Sequence, residues 1–185
     1  MKGKHESQRK CISHVLSMHP IVNLTLIISL LVFLNACAGS KIQPSTPMQT
    51  KLANYKSITI NITSKIPGDE AMELERVLIE KLRKKRLFAS VKSSRYGKEV
   101  QSDLQLNITI VDLRRVGGAA RFFAGMFAGR AKVAVEGELI DNKESKSIAS
   151  FKAEGMTGEH GYAGTTSQAI EKTANEIVEY LKKNI

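Results

Sequence analysis

Between Asp103 and Ile110 the chain alternates without a break, with Leu104, Leu106, Ile108 and Ile110 set against Asp103, Gln105, Asn107 and Thr109. Side chains of a strand point to opposite faces with a period of two, so this segment reads as a strand with one face buried and one in water. The apolar face of such a strand has to be covered by another layer. The same alternation occurs earlier, where Ile58, Ile60 and Ile62 alternate with Ser57, Thr59, Asn61 and Thr63. Two further strands are expected at 132–140 and 147–154, joined by Asp141 to Lys146, a polar connection short enough for a hairpin. Leu87 to Val91 adds a short edge strand.

The covering layer is legible too. Pro67-Gly68 turns the chain, Asp69 can cap a helix, and Leu74, Val77, Leu78 and Leu82 recur at helical spacing through about Leu87. Glu70 and Glu73 begin this helix and Lys81 and Arg83 to Arg86 end it, in the sense that the helix dipole favours. The basic run could take phosphate or nucleic acid, but dipole and solvation account for it without a ligand. Thr165 with Gln168 offers a capping box for a last helix, whose apolar stripe is Ile170, Ala174, Ile177, Val178 and Leu181. The expected fold class is therefore α+β: a two-layer sandwich, a mainly antiparallel sheet of about four to five strands with two helices on one face.

The chain's first 36 residues have a different character. Lys2, Lys4, Arg9 and Lys10 precede an apolar run from Ile21 to Phe33, too short to span a bilayer comfortably and laid out as an export signal. It ends in Leu34-Asn35-Ala36-Cys37, a leucine three places before a cysteine and a small residue just before it. This reads as a lipobox. The expected organisation is a cleaved lipoprotein signal peptide over 1–36, a lipidated (palmitate-bearing) Cys37 and flexible tether over 37–50, and a single α+β domain over 51–185. If extended, the tether would hold the domain up to roughly 40 Å from the lipid. A permanent transmembrane anchor is the alternative.

Composition then narrows the chemistry. The only cysteines are Cys11 and Cys37, so after processing no thiol remains for a disulfide, a zinc site or a nucleophile. His5, His14 and His19 go with the leader, and His160 alone makes neither a metal site nor a Ser-His-Asp arrangement. Glu136 and Glu138 share a strand face, as solvated carboxylates usually do. No catalytic set, metal or cofactor is expected, and we read the chain as non-enzymatic. The formal charge is +10; losing four basic residues and Glu6 with the leader leaves +7. That balance suits acidic partners but also serves solubility, and the export signal argues against nucleic acid.

One stretch fits neither strand nor helix layer. Gly117 to Gly129 (GGAARFFAGMFAG) is flanked by Arg114, Arg115 and Arg130. On a helical projection Phe122, Phe123, Met126 and Phe127 gather on one side, opposite Gly125, Gly129 and the alanines. Three readings stand: plain structure with its aromatics tucked under the sheet, a contact surface, or a phosphate cradle. The contact surface would comprise Arg121, Phe122, Phe123, Gly125, Met126, Phe127, Gly129 and Arg130, serving self-association or resting at a lipid interface. The cradle lacks both the P-loop ending and the dinucleotide fingerprint.

Taken together, the lipobox leader, the run Arg121 to Gly137 (RFFAGMFAGRAKVAVEG), the hairpin reaching Gly155 and the terminal amphipathic helix resemble the bacterial lipoproteins grouped as domain of unknown function 4410. That resemblance transfers no catalytic residue. More loosely, the arrangement is similar to periplasmic modules of secretion-channel and envelope-assembly lipoproteins, and fold does not imply function. The expectation is a cell-envelope lipoprotein, anchored to the membrane by its N-terminal lipid, with a periplasmic protein-binding or scaffolding domain. Alternatives are an oligomeric accessory of an export or envelope-assembly machine, and a carrier of lipid or amphiphile in a cleft between helices and sheet. Ala38 is not an aspartate-type retention signal, so the expected site is the outer membrane, facing the periplasm, with an envelope protein or further copies of the chain as partner.

Overall fold

A computed structural model of the chain describes residues 40–96, 102–116, 129–157 and 164–185. Its strands are β1 (Ser40–Thr46), β2 (Ser57–Ser64), β3 (Ser90–Ser93), β4 (Leu104–Arg114), β5 (Lys132–Asp141) and β6 (Lys146–Met156), and its helices α1 (Glu70–Lys85) and α2 (Thr166–Lys183). The strands form one sheet in the order β1-β6-β5-β4-β2-β3. Both helices lie on one face of it: α1 and α2 pack on each other, α1 on β2 and β3, and α2 on β1, β5 and β6.

The alternation predicted for β2 and β4 sets the sheet's two faces. Ile58, Ile60, Leu104, Leu106 and Ile110 are fully buried beneath the helices. Opposite them, Asn61 donates to the Asn107 Oδ1 atom at 3.1 Å and Gln105 donates to the same oxygen at 2.8 Å. The stripe expected on α2 is buried throughout, and Leu74, Leu78 and Leu82 of α1 are fully buried against it and the sheet. Leucine-sized side chains buried this completely contribute about 1.5–3 kcal/mol each relative to exposure, which makes this layer the main source of cohesion. Gly155 is required by the packing. A Cβ there would run into the Ala169 carbonyl and Thr173 of α2, so the missing side chain lets the helix lie directly on β6.

Two expectations about the sheet are corrected. It has six strands and is mixed: β2 runs parallel to both β3 and β4, while β4–β5, β5–β6 and β1–β6 are antiparallel. The parallel pairing with β3 arises from α1, which carries the chain back along the sheet so that β3 restarts beside β2 in the same direction. The sixth strand is β1, from the stretch expected to be a flexible tether. Ser40 to Thr46 pairs along β6 from Gly155 to Ser150, with an irregularity between Pro44 and Thr46. Its sequence carries no alternation, because an edge strand joined through its backbone, with only Ile42 packing on the core, needs none.

Smaller departures have local causes. Asp69 occupies the N-cap of α1 but its side chain makes no capping bond there, whereas the Thr165–Gln168 capping box of α2 is complete. The predicted edge strand lies slightly later, at β3, because Phe88 drops into the core before the chain extends.

Candidate functional site

The signal peptide, Cys37, His160 and Arg121, Phe122, Phe123, Gly125, Met126 and Phe127 lie outside the described residues. The predicted site is therefore approached through its flanks, Gly129 and Arg130 among them, and these converge. Arg114 at the end of β4 is the register partner of Lys132 at the start of β5, so the chain leaves the sheet before 117 and re-enters after 128 at adjacent positions. Across the next two ladders, Val133 pairs with Gly155 and Gly155 with Ser40. The first described residue, three places after Cys37, thus stands at the same end of the sheet as both flanks of the aromatic segment.

That end is polar and carries charges of both signs. Glu70 is gripped by Arg115, whose Nη2 donates to Glu70 Oε2 at 2.8 Å and to the Pro67 carbonyl at 2.6 Å. The guanidinium hydrogen bond holds the Glu70 carboxyl below its ordinary range. Lys132 bridges Glu154 at 3.0 Å and Asp112 at 3.2 Å, and the Glu154 hydrogen bond raises its ammonium's pKa. Exposed Lys41, Lys65, Arg114 and Arg130 make no ion pair among the described residues. Gly129 has φ +91° with open space where a Cβ would point, so backbone conformation and not crowding favours glycine there. Behind it, Ala131 is buried, its carbonyl accepting from the Thr157 N–H and its own N–H donating to the Thr157 hydroxyl; Thr157, itself 4% exposed, closes the core beneath this end.

A second feature was not anticipated. A groove of about 550 Å³ runs along α1 and β3, lined by Met72, Arg76, Ile79, Arg83 and the pair Glu75–Arg95. Glu75 is 4% exposed, and its carboxylate accepts from the Ser93 hydroxyl and from Arg95 Nε, while Arg83 donates to the Val91 carbonyl at 2.7 Å. A buried carboxylate so fully engaged fixes the turn after β3 and has no oxygen aimed at a substrate. Its sequence position offered little signal, since Glu75 sits beside Leu74 at the margin of the apolar stripe, where a solvated glutamate reads identically. Glu136 and Glu138 are exposed, with Glu136 bound to Lys152 at 3.0 Å. The basic run of α1 is partly spoken for: Lys81 meets Glu171 of α2 at 3.1 Å and Lys85 meets Glu179 at 3.5 Å.

Among the described residues there is neither cysteine nor histidine, and no group of acidic side chains is placed to hold a metal ion. Among those same residues no helix is long and apolar enough to cross a membrane. The space between helices and sheet is filled by the buried leucines and isoleucines already named.

This geometry defines a class first: a two-layer α+β domain with a six-stranded mixed sheet. The PelC dodecamer from Paraburkholderia phytofirmans has a similar fold, with a TM-score of 0.56 at 14% identity over 77% of this chain and 96% of that one. A second solved structure, of a PelC variant, gives 0.54 at 16% identity over 75% and 95%. Lipoprotein GNA1162 from Neisseria meningitidis is more distant, at 0.44 and 12% identity over 69% of this chain and 99% of that one. No curated protein sequence matches the chain. The family described as Domain of unknown function (DUF4410) matches residues 64–161, more than half of the chain, and the chain belongs to that family.

Proposed function

We propose that this protein is a non-enzymatic lipoprotein of the bacterial cell envelope, acylated at Cys37, whose domain works by binding protein on the periplasmic side of the outer membrane. The observation that carries this reading is the convergence at one sheet end. The route back to Cys37 and both flanks of the Arg121–Arg130 segment leave the domain together. A domain built this way presents its least ordinary sequence where its anchor holds it. The intact mass of protein extracted from membranes tests the anchor, with acyl chains expected on Cys37. Cys37→Ala should leave the precursor unacylated and uncleaved, and unchanged processing would refute the lipobox.

Self-association is the form of protein binding we favour. The fold shared with PelC, solved as a dodecamer, supports it, as does the bulky face that Phe122, Phe123, Met126 and Phe127 would make. Chemical crosslinking in intact cells should trap copies of this chain with one another. Phe123→Ser with Phe127→Ser should abolish that ladder while leaving acylation intact, and a protein that is monomeric before the change sinks this form of the reading. An amphiphile carrier would have to use the open groove beside Met72, which is 50% exposed, because the layer between helices and sheet has no room. Native mass spectrometry with no co-purifying lipid argues against it.

A further inference from the structure

We infer that the sheet end bearing Lys41, Lys65, Arg114 and Arg130 docks on the anionic headgroups of the bilayer that holds the anchor, so that the strands stand upright with the 141–146 hairpin pointing away. This rests on acylation at Cys37 and deepens the reading above by giving the domain an orientation. The first argument is reach. With β1 beginning at Ser40, only two residues, Ala38 and Gly39, separate the ordered sheet from Cys37, and the three steps from Cys37 to Ser40 span at most about 10 Å. A domain tethered so briefly has its nearest surface at the headgroups whatever else it binds.

The second argument is charge. At this end Arg115 consumes Glu70, and Lys132 consumes Glu154 and Asp112, leaving exposed Asp69 and part-buried Glu73 and Glu176, the last accepting from the Ser40 hydroxyl, as carboxylates without an ion pair among the described residues. Against these three stand four cations that are all exposed, of which Lys65 also feels Glu136. Arg114 and Arg130 border the segment between β4 and β5, and Lys41 lies one residue into β1. Basic side chains near an anionic membrane surface attract it within about a Debye length, roughly 8 Å at physiological salt, which is within the reach the anchor allows. The opposite end is too far to share the contact, since the nine steps from Ser147 to Met156 of β6 rise about 30 Å.

The test uses the acylated protein reconstituted in vesicles of equal parts phosphatidylcholine and phosphatidylglycerol carrying a nitroxide on some headgroups. The mature chain has no thiol besides the acylated Cys37, so Ser167→Cys near this end and Ser147→Cys at the far end each accept one fluorophore. Strong quenching is expected at 167 and little at 147. Lys41→Gln, Arg114→Gln and Arg130→Gln together should relieve the quenching at 167, the docked-to-undocked ratio falling about fivefold for each cation removed. Raising salt to about 1 M, where the Debye length is about 3 Å, should do the same without any substitution. Intact mass separates the two ways of failing. A chain without acyl groups overturns the anchoring itself, whereas an acylated chain quenched equally at both positions, or indifferent to salt and to phosphatidylglycerol, overturns the docking alone.

Discussion

Arg86 ends α1 at φ +53°, in the left-handed region that glycine usually occupies at this place, and its backbone N–H caps the carbonyls of Arg83 and Leu82. The conformation costs a side-chain-bearing residue about 1–2 kcal/mol, of which glycine's extra chain entropy would return about 0.5–1 kcal/mol. Arg86→Gly should therefore raise stability by about 0.5 kcal/mol in urea unfolding, and a loss would mean that the exposed guanidinium makes a contact of its own. Tyr55 provides a pH signature. Burial and the 2.7 Å hydrogen bond it donates to Asp141 push its phenol up from 10.0 to about 12. The folded state holds that proton more tightly than the unfolded chain, so its contribution is complete below pH 10 and disappears as pH rises toward 12. Urea midpoints measured across that window should fall in the parent protein and fall less in Tyr55→Phe; identical slopes would dissociate the phenol from the alkaline limb. Residues of this kind were invisible in the sequence. Asp141 there is one polar residue in a hairpin, and only the pairing of β5 with β4 and of β4 with β2 brings it within reach of Tyr55.

At the scale of elements, those with a period were legible and those without were not. β2, β4 and α2 declare themselves because each buries a whole face, and burial imposes a period of about 2 or 3.6 on the sequence. β1 imposes none, since backbone pairing along β6 asks for no particular side chain and tolerates Pro44 at an edge. The helix starts separate the two kinds of evidence well. Thr165 accepts from the Gln168 N–H at 3.0 Å while Gln168 accepts a bond from the Thr165 N–H at 2.9 Å. Asp69 makes no such bond at α1. Thr165→Ala should then cost about 1 kcal/mol, and Asp69→Ala within about 0.5 kcal/mol, as for a surface substitution. Equal losses in thermal or urea unfolding would show that the Asp69 carboxylate acts on the helix without a hydrogen bond.

For the whole molecule, the anchoring proposed at Cys37 makes the length of chain between that residue and the sheet the consequential number. Read as a tether, residues 38–50 allow the domain to float free; with β1 in place the slack shrinks to two residues, Ala38 and Gly39. Inserting about ten Gly and Ser residues between Cys37 and Ser40 gives the domain a flexible leash. Acylation and fold should survive, while headgroup quenching at position 167 drops; undiminished quenching would assign the contact to the charges alone. What the sequence by itself determined was the class of domain, its two layers, the buried faces of its main strands and helices, and the motif that marks Cys37. All of these are local or periodic, written in neighbouring residues. Tertiary structure alone decided the mixed sheet order, the recruitment of β1, the burial of Glu75 beside Ser93 and Arg95, and the meeting of Ser40, Arg114 and Lys132 at one end. Those depend on which strands become neighbours, a choice settled by the summed packing of distant segments that leaves no period in any one of them.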